Sequence, residues 1–144
     1  MDAKEKKKIK DFLRSYEREE SRIRQIEEDI AYINKTLDSI PQIFDGMPRG
    51  SGISNKTAKE AEKLWQLQND LIAARTRAVQ KREEVANLIR QVKNVQHMNL
   101  LRLRYIELKG WAQVSIDMDR DPRWVFRMHN LALEEILKIY NLTI

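Results

Sequence analysis

Two stretches of the chain repeat apolar residues at alternating intervals of three and four, and a loop-forming segment separates them. The first runs through Ile9, Phe12, Tyr16, Ile23, Ile26, Ile30, Ile33, Leu37 and Ile40. Intervals of three and four return to one side of an α-helix, so this is a coiled-coil seam sustained over more than four heptads. So narrow a seam cannot close a globular core by itself; the helix needs a partner. The second stretch supplies one, through Leu64, Leu67, Leu71, Ala74, Ala78, Val85, Leu88, Val92 and Val95. Each seam has one polar rung, Glu19 in the first and Lys81 in the second.

Pro41 ends the first helix. Residues 41–54 hold all but one of the four glycines and two of the three prolines, which marks a loop, with Arg49 near its tip. Ser54 or Asn55 is placed to cap the next helix. Two seams of similar length joined by a loop fold back most simply as an antiparallel helical hairpin. Centring the loop near Met47 or Pro48 sets Ile33 against Leu64 and Ile26 against Leu71. It also brings Glu19 within about a turn of Lys81, a pairing that would fix register more than add stability. A parallel homodimer would instead set Glu19 against its own copy, a like-charge contact. The lysine-rich residues 1–8 are expected to fray.

The last third reads as three shorter helices. One runs from about Val95 to Leu108 and stops at Gly110, a residue suited to a left-handed helix terminus. A second opens at Trp111, with Val114 and Met118 at helical spacing. A third begins at Pro122, since proline fits the first helical position and Asp121 before it can cap. It extends to Tyr140 with Val125, Met128, Ala132, Leu133, Ile136, Leu137 and Tyr140 inward. A short helix, a tight turn and a longer helix with a basic first turn is the helix-turn-helix plan. The expected fold is therefore all-α: a long, coiled-coil-like antiparallel hairpin over residues 1–94, with its loop at 41–54, and a helix-turn-helix domain over residues 95–144.

The bulk properties agree. A chain of 144 residues with 42% hydrophobic and 34% charged residues is expected to be helical and water-soluble. There is no cysteine, hence no disulfide framework and no thiolate metal site. No apolar run has membrane-span length and the first residues lack a signal-peptide core, so no membrane partner and a cytoplasmic location, in a host cell, are expected. The net charge of +5 is compatible with nucleic acid. The positive surplus lies on the second long helix, in Arg75, Arg77, Lys81, Arg82, Arg90 and Lys93. Residues 100–144 are nearly balanced, seven Lys or Arg against six Asp or Glu.

Several chemistries are excluded. Asp117, Asp119 and Asp121 mimic the opening of a calcium loop, but Pro122 and Met128 stand where glycine and glutamate are required. His97 and His129 lack the companions a zinc site needs. No nucleophile elbow, P-loop or dinucleotide fingerprint occurs. No cofactor, no metal and no enzymatic activity are expected.

Arg123 and Arg127 are four residues apart on one face of the third helix, and Arg120 lies in the turn before it. The planar guanidinium fork of arginine matches guanine edges and phosphates. At least one of the three is expected to pair with Asp119, Asp121 or Glu107. Trp124 precedes the inward Val125, so it faces outward or sideways and is a candidate contact. Trp111 and Gln113, in the first turn of the preceding helix, complete the candidate set of DNA contacts.

Leu100–Tyr105 (LLRLRY), Gly110–Trp111, Arg123–His129 (RWVFRMH) and Ala132–Leu133 together resemble region 4 of the sigma-70 family. The resemblance covers Leu100 to about Leu137. The whole chain, with its charged helical N-terminal half, resembles small phage proteins that end in such a domain, the RinA and ArpU late transcriptional regulators. The family pattern has an alanine and a turn glycine where this chain has Ser115-Ile116 and Asp119. Either the turn has another geometry or Asp119 takes a positive φ. The resemblance implies base contacts at Arg120, Arg123, Trp124 and Arg127 and a phosphate contact from Trp111. It implies a sequence-specific, double-stranded DNA-binding regulator of phage late genes, reading the major groove with residues 122–140. It leaves open host RNA polymerase and a second copy of the chain as further partners, for which the hairpin offers a surface. Two other classes remain: a small terminase-like DNA-packaging protein, and a helical protein-interaction module without sequence-specific DNA binding.

Overall fold

A computed structural model describes residues 2–38 and 55–143. The fold is all-α. Among the described residues there are six helices and no strand: α1 (Ala3–Leu13), α2 (Ser15–Asp38), α3 (Asn55–Arg90), α4 (Val95–Tyr105), α5 (Trp111–Met118) and α6 (Pro122–Thr143). The expected loop with Arg49, the end of the first seam at Ile40 and the candidate cap Ser54 lie outside the described residues. Asn55 is the first helical residue of α3 and so is not its cap.

The chain divides into two compact units. One comprises residues 20–76, the other residues 1–19 together with 77–144. In the first, Ile23 and Ile33 of α2 and Ala74 of α3 are buried, while Ile26, Ile30, Leu37, Leu64, Leu67 and Leu71 are half-buried. The seam residues are thus the covered ones, as the three-four spacing requires.

The second unit has a core built from five helices. Ile9 and Leu13 of α1 cluster with Val85, Ala86, Leu88, Ile89 and Val92. The same cluster takes in Leu101, Tyr105 and Ile106 and, from α6, Ala132, Leu133, Ile136 and Leu137. A neighbouring cluster joins Leu100, Val114 and Val125, with Leu103, Met118, Trp124 and Met128 against it. Numbering rises along α1 and α2 as it falls along α3: the Ile9–Leu13 end meets Val85–Val92, and Glu19 bonds Arg77 at 3.3 Å. The two long helical stretches are therefore antiparallel. Arg77 is one turn before Lys81, whose ammonium bonds Glu84 at 3.2 Å. The polar rungs sit at the expected level, but Glu19 takes Arg77 as a partner.

Three local expectations are corrected. Of the residues 1–8 expected to fray, 2–8 are ordered: Asp2 caps α1, its carboxylate accepting from the Lys4 N–H at 3.2 Å. Ile9 and Leu13 are fully buried, and Phe12 packs tilted against Tyr140 with ring centroids 5.1 Å apart. Burial of this face against α6 holds the helix against the mutual repulsion of its lysines. The first seam is also not one uninterrupted helix, because Arg14 (φ −85°, ψ 1°) separates α1 from α2. Val95 is no rung of the second seam. The helix α3 ends at Arg90, and Val95 is 63% exposed at the start of α4. Asn94 makes that start, its side chain accepting from the Gln96 and His97 N–H groups at 2.9 and 3.1 Å.

Candidate nucleic-acid interface

The helix α4 ends three residues before the expected Leu108. Leu108 takes φ 57°, and the Lys109 N–H returns to the Leu103 carbonyl at 3.0 Å. Gly110 is not the left-handed residue. It has φ −67°, caps α5 through its backbone, and has open space where a Cβ would stand. Nothing in its conformation requires glycine.

The turn between α5 and α6 resolves the alternative posed by Asp119. That residue is left-handed, with φ 52° and ψ 50°. Its N–H bonds the Ile116 carbonyl at 3.1 Å, and the Arg120 N–H bonds the Ser115 carbonyl at 3.1 Å. These two bonds form a Schellman closure with aspartate in the place glycine usually takes. Asp121 then caps α6, accepting from the Arg123 N–H at 2.8 Å. Pro122 follows as the first helical residue. Val114 and Val125 are buried on facing sides of the turn and hold α5 on α6. Ser115 is buried beside them, and its hydroxyl has no hydrogen-bond partner among the described residues.

Arg123 and Arg127 are exposed on one face of α6, as their spacing requires. Among the described residues neither they nor Arg120 belongs to an ion pair, so the expected pairing with Asp119, Asp121 or Glu107 is replaced by another arrangement. The Arg120 guanidinium lies 4.8 Å from the centre of the Trp124 ring. Stacking over a half-buried indole stabilises arginine without neutralising it. Trp124 faces sideways: it packs on the Leu100–Val114–Val125 cluster on one side, with Arg120 over its ring.

Trp111 is 39% exposed and held from two directions. Its ring meets that of His129 edge-on, with centroids 4.6 Å apart, and the Arg104 guanidinium lies over it at 4.7 Å. Arg104 also donates to the Lys109 carbonyl at 3.0 Å. Gln113 is exposed on α5 and donates from Nε2 to Asp117 at 2.8 Å. Hydrogen bonds from Lys109 and then Gln113 hold the Asp117 carboxyl below the ordinary carboxylate range. The three aspartates therefore have separate structural roles: Asp117 binds Lys109 and Gln113, Asp119 makes the turn and Asp121 caps.

Beneath this surface His129 is buried. Its Nε2 lies 2.7 Å from the Tyr105 hydroxyl. Burial first, then the nearby charges of Lys10, Lys6 and Arg104, push its pKa from 6.5 to about 3. Burial pushes Tyr105 from 10.0 up to about 12. The pair is neutral, so His129 supports Trp111 from below as a packing residue. On the far side of α6, Glu135 accepts from His97 Nδ1 at 2.7 Å and from the Lys93 N–H at 2.9 Å, tying α6 to the start of α4.

Two residues of the surface escaped sequence reasoning. Phe126 is 65% exposed on the first turns of α6, and Ile116 is 69% exposed on α5. For Phe126 a signal existed: it lies three residues after Arg123 and one before Arg127, while the inward series passes from Val125 to Met128. Among the described residues there is no cluster of three His, Cys, Asp or Glu that could hold a metal ion, and no helix long and apolar enough to cross a membrane.

The family model described as a protein of unknown function, DUF1492, matches residues 51–137. The chain belongs to this family. The match covers all of α3, α4 and α5, with α6 up to Leu137. No curated protein and no solved structure matches the chain.

Proposed function

We propose that this member of the DUF1492 family is a sequence-specific DNA-binding transcriptional regulator of phage late genes, and that α5, the turn and α6 form a helix-turn-helix. The observation that carries the reading is the start of α6. Its cap and the left-handed Asp119 fix its direction, and Arg123 and Arg127 extend from one face without carboxylate partners among the described residues. Two guanidinium forks on the first turns of a rigid helix suit guanine edges and phosphates in a major groove. The resemblance of Leu100–Leu137 to sigma-70 region 4, and of the chain to RinA- and ArpU-type regulators, supports the same assignment. Trp111 and Gln113 at the start of α5 are suited to flanking phosphates, and Arg120, backed by Trp124, to the turn side of the groove.

The unit of residues 20–76 favours a second role beside the first. Tyr32, Trp65 and Ile72 are each more than half exposed there. Large apolar side chains in water on a helical arm suit contact with another protein, such as RNA polymerase or a second copy of the chain.

Fluorescence anisotropy with fragments of a phage late-promoter region, across a salt series, tests the reading. One fragment is expected to bind well above random DNA. The double variant Arg123→Ala/Arg127→Ala is expected to lose that preference, by about 2–6 kcal/mol for two base contacts. Equal, weak binding of every fragment by wild type would sink the proposal and leave the protein-interaction role.

A further inference from the structure

The reading face of α6 has an apolar member among its polar ones. Phe126 is 65% exposed. It stands three residues from Arg123, one from Arg127 and four from Asn130, so these side chains crowd one patch of helix surface. Arg123 and Arg127 are exposed and Asn130 is half-buried. Trp124, the other aromatic residue of the turn, packs on the core cluster with Arg120 over its ring.

We infer that Phe126 reads the C5 methyl group of a thymine, making it a specificity-determining residue of the interface. This rests on the DNA-binding proposal above. The chemistry follows from what a major groove offers. Guanine presents two acceptors, which arginine matches; adenine presents an acceptor and a donor, which asparagine matches. The thymine methyl is the groove's one apolar feature. A phenyl ring in a ring of two guanidinium groups and an amide has the polarity of a thymine set among other base edges and phosphates. Nothing in the protein's own core needs Phe126, since the first turns of α6 are anchored by Val125 and Met128. The arginines also argue against an apolar protein partner at this spot, because burying them there would strand two unpaired charges.

The test replaces thymine by deoxyuridine, one position at a time, in the best-bound duplex. The substitution removes only the methyl group. Wild-type affinity is expected to fall about fourfold at one position, the equivalent of one methyl-sized group returned to water. Phe126→Ala should bind more weakly and respond to no deoxyuridine, whereas Phe126→Leu, still apolar, should retain part of the response. Circular dichroism melting checks that both variants fold. If wild type selects one fragment but tolerates deoxyuridine everywhere, or if Phe126→Ala keeps the response, the inference fails while the regulator reading stands. If wild type selects no fragment, both fail together.

Discussion

The buried Tyr105–His129 pair makes stability depend on pH in a way that can be worked out in advance. An imidazole has an ordinary pKa of 6.5, and burial beside Lys10, Lys6 and Arg104 lowers that of His129 to about 3. The unfolded chain binds a proton below 6.5 that the folded chain refuses. Stability is therefore complete above 6.5 and declines as the pH falls toward 3. Each unit of pH in that window costs about 1.4 kcal/mol, so lowering the pH from 6.5 to 5 removes about 2 kcal/mol. That is a large share of the roughly 5–15 kcal/mol typical of a folded domain. Tyr105 works in the opposite direction. Its phenol is held neutral up to about 12, so stability should also fall as the pH rises above 10. Urea denaturation of wild type and His129→Gln at pH 7.5, 6 and 5 reads the acid arm. The variant is expected to start less stable and then lose little between pH 7.5 and 5. A wild-type midpoint that does not move, an equal decline in the variant, or a His129 imidazole that protonates near 6.5 by NMR would refute the argument.

The other predictions concern the core and the turn. Leu13→Ala, in the N-terminal helix, should cost about 2–5 kcal/mol in urea denaturation, because a fully buried leucine is removed from a shared core. A fragment of residues 95–144 should correspondingly show no cooperative transition. A sharp melt of that fragment would show that α1 and the end of α3 are dispensable. Asp119→Gly should raise stability by about 0.5–1 kcal/mol and Asp119→Val should lower it by about 1–2 kcal/mol, since the position is left-handed; equal melting temperatures for the two would remove that explanation.

The hairpin rhythm, the start of α5 at Trp111 and the start of α6 at Pro122 were all legible in the sequence, because each rests on local chemistry: periodic apolar residues, a cap, a proline. The order of residues 2–8 was not. Seven of the first ten residues are charged, and their stability comes from α6, more than a hundred positions away. Leu108 hid for a related reason. Its positive φ is set by the return of Lys109 to Leu103, and the neighbouring glycine drew the assignment to itself. At the candidate interface, Arg123 and Arg127 followed from spacing alone. The Arg120–Trp124 stack did not, since carboxylates at 119 and 121 suggested ion pairs, whereas Asp119 serves the turn through its left-handed backbone and the Asp121 carboxylate caps α6.

The placement of α1 also bears on how the chain reaches its fold. The second unit is a discontinuous domain, sewn from the first residues and nearly the last half of the sequence. During synthesis α1 emerges first, yet its buried face is not fully covered until the end of α3 and then α6 have followed. Left to diffusion, that closure would span nearly the whole chain, and long-range closures slow folding. Pairing of the arms within residues 20–76 shortens the problem. Once zipped, they deliver Glu19 to Arg77, and the remaining search for α1 is over a distance of a few turns. The hairpin then serves as an assembly jig for the domain that carries the candidate interface.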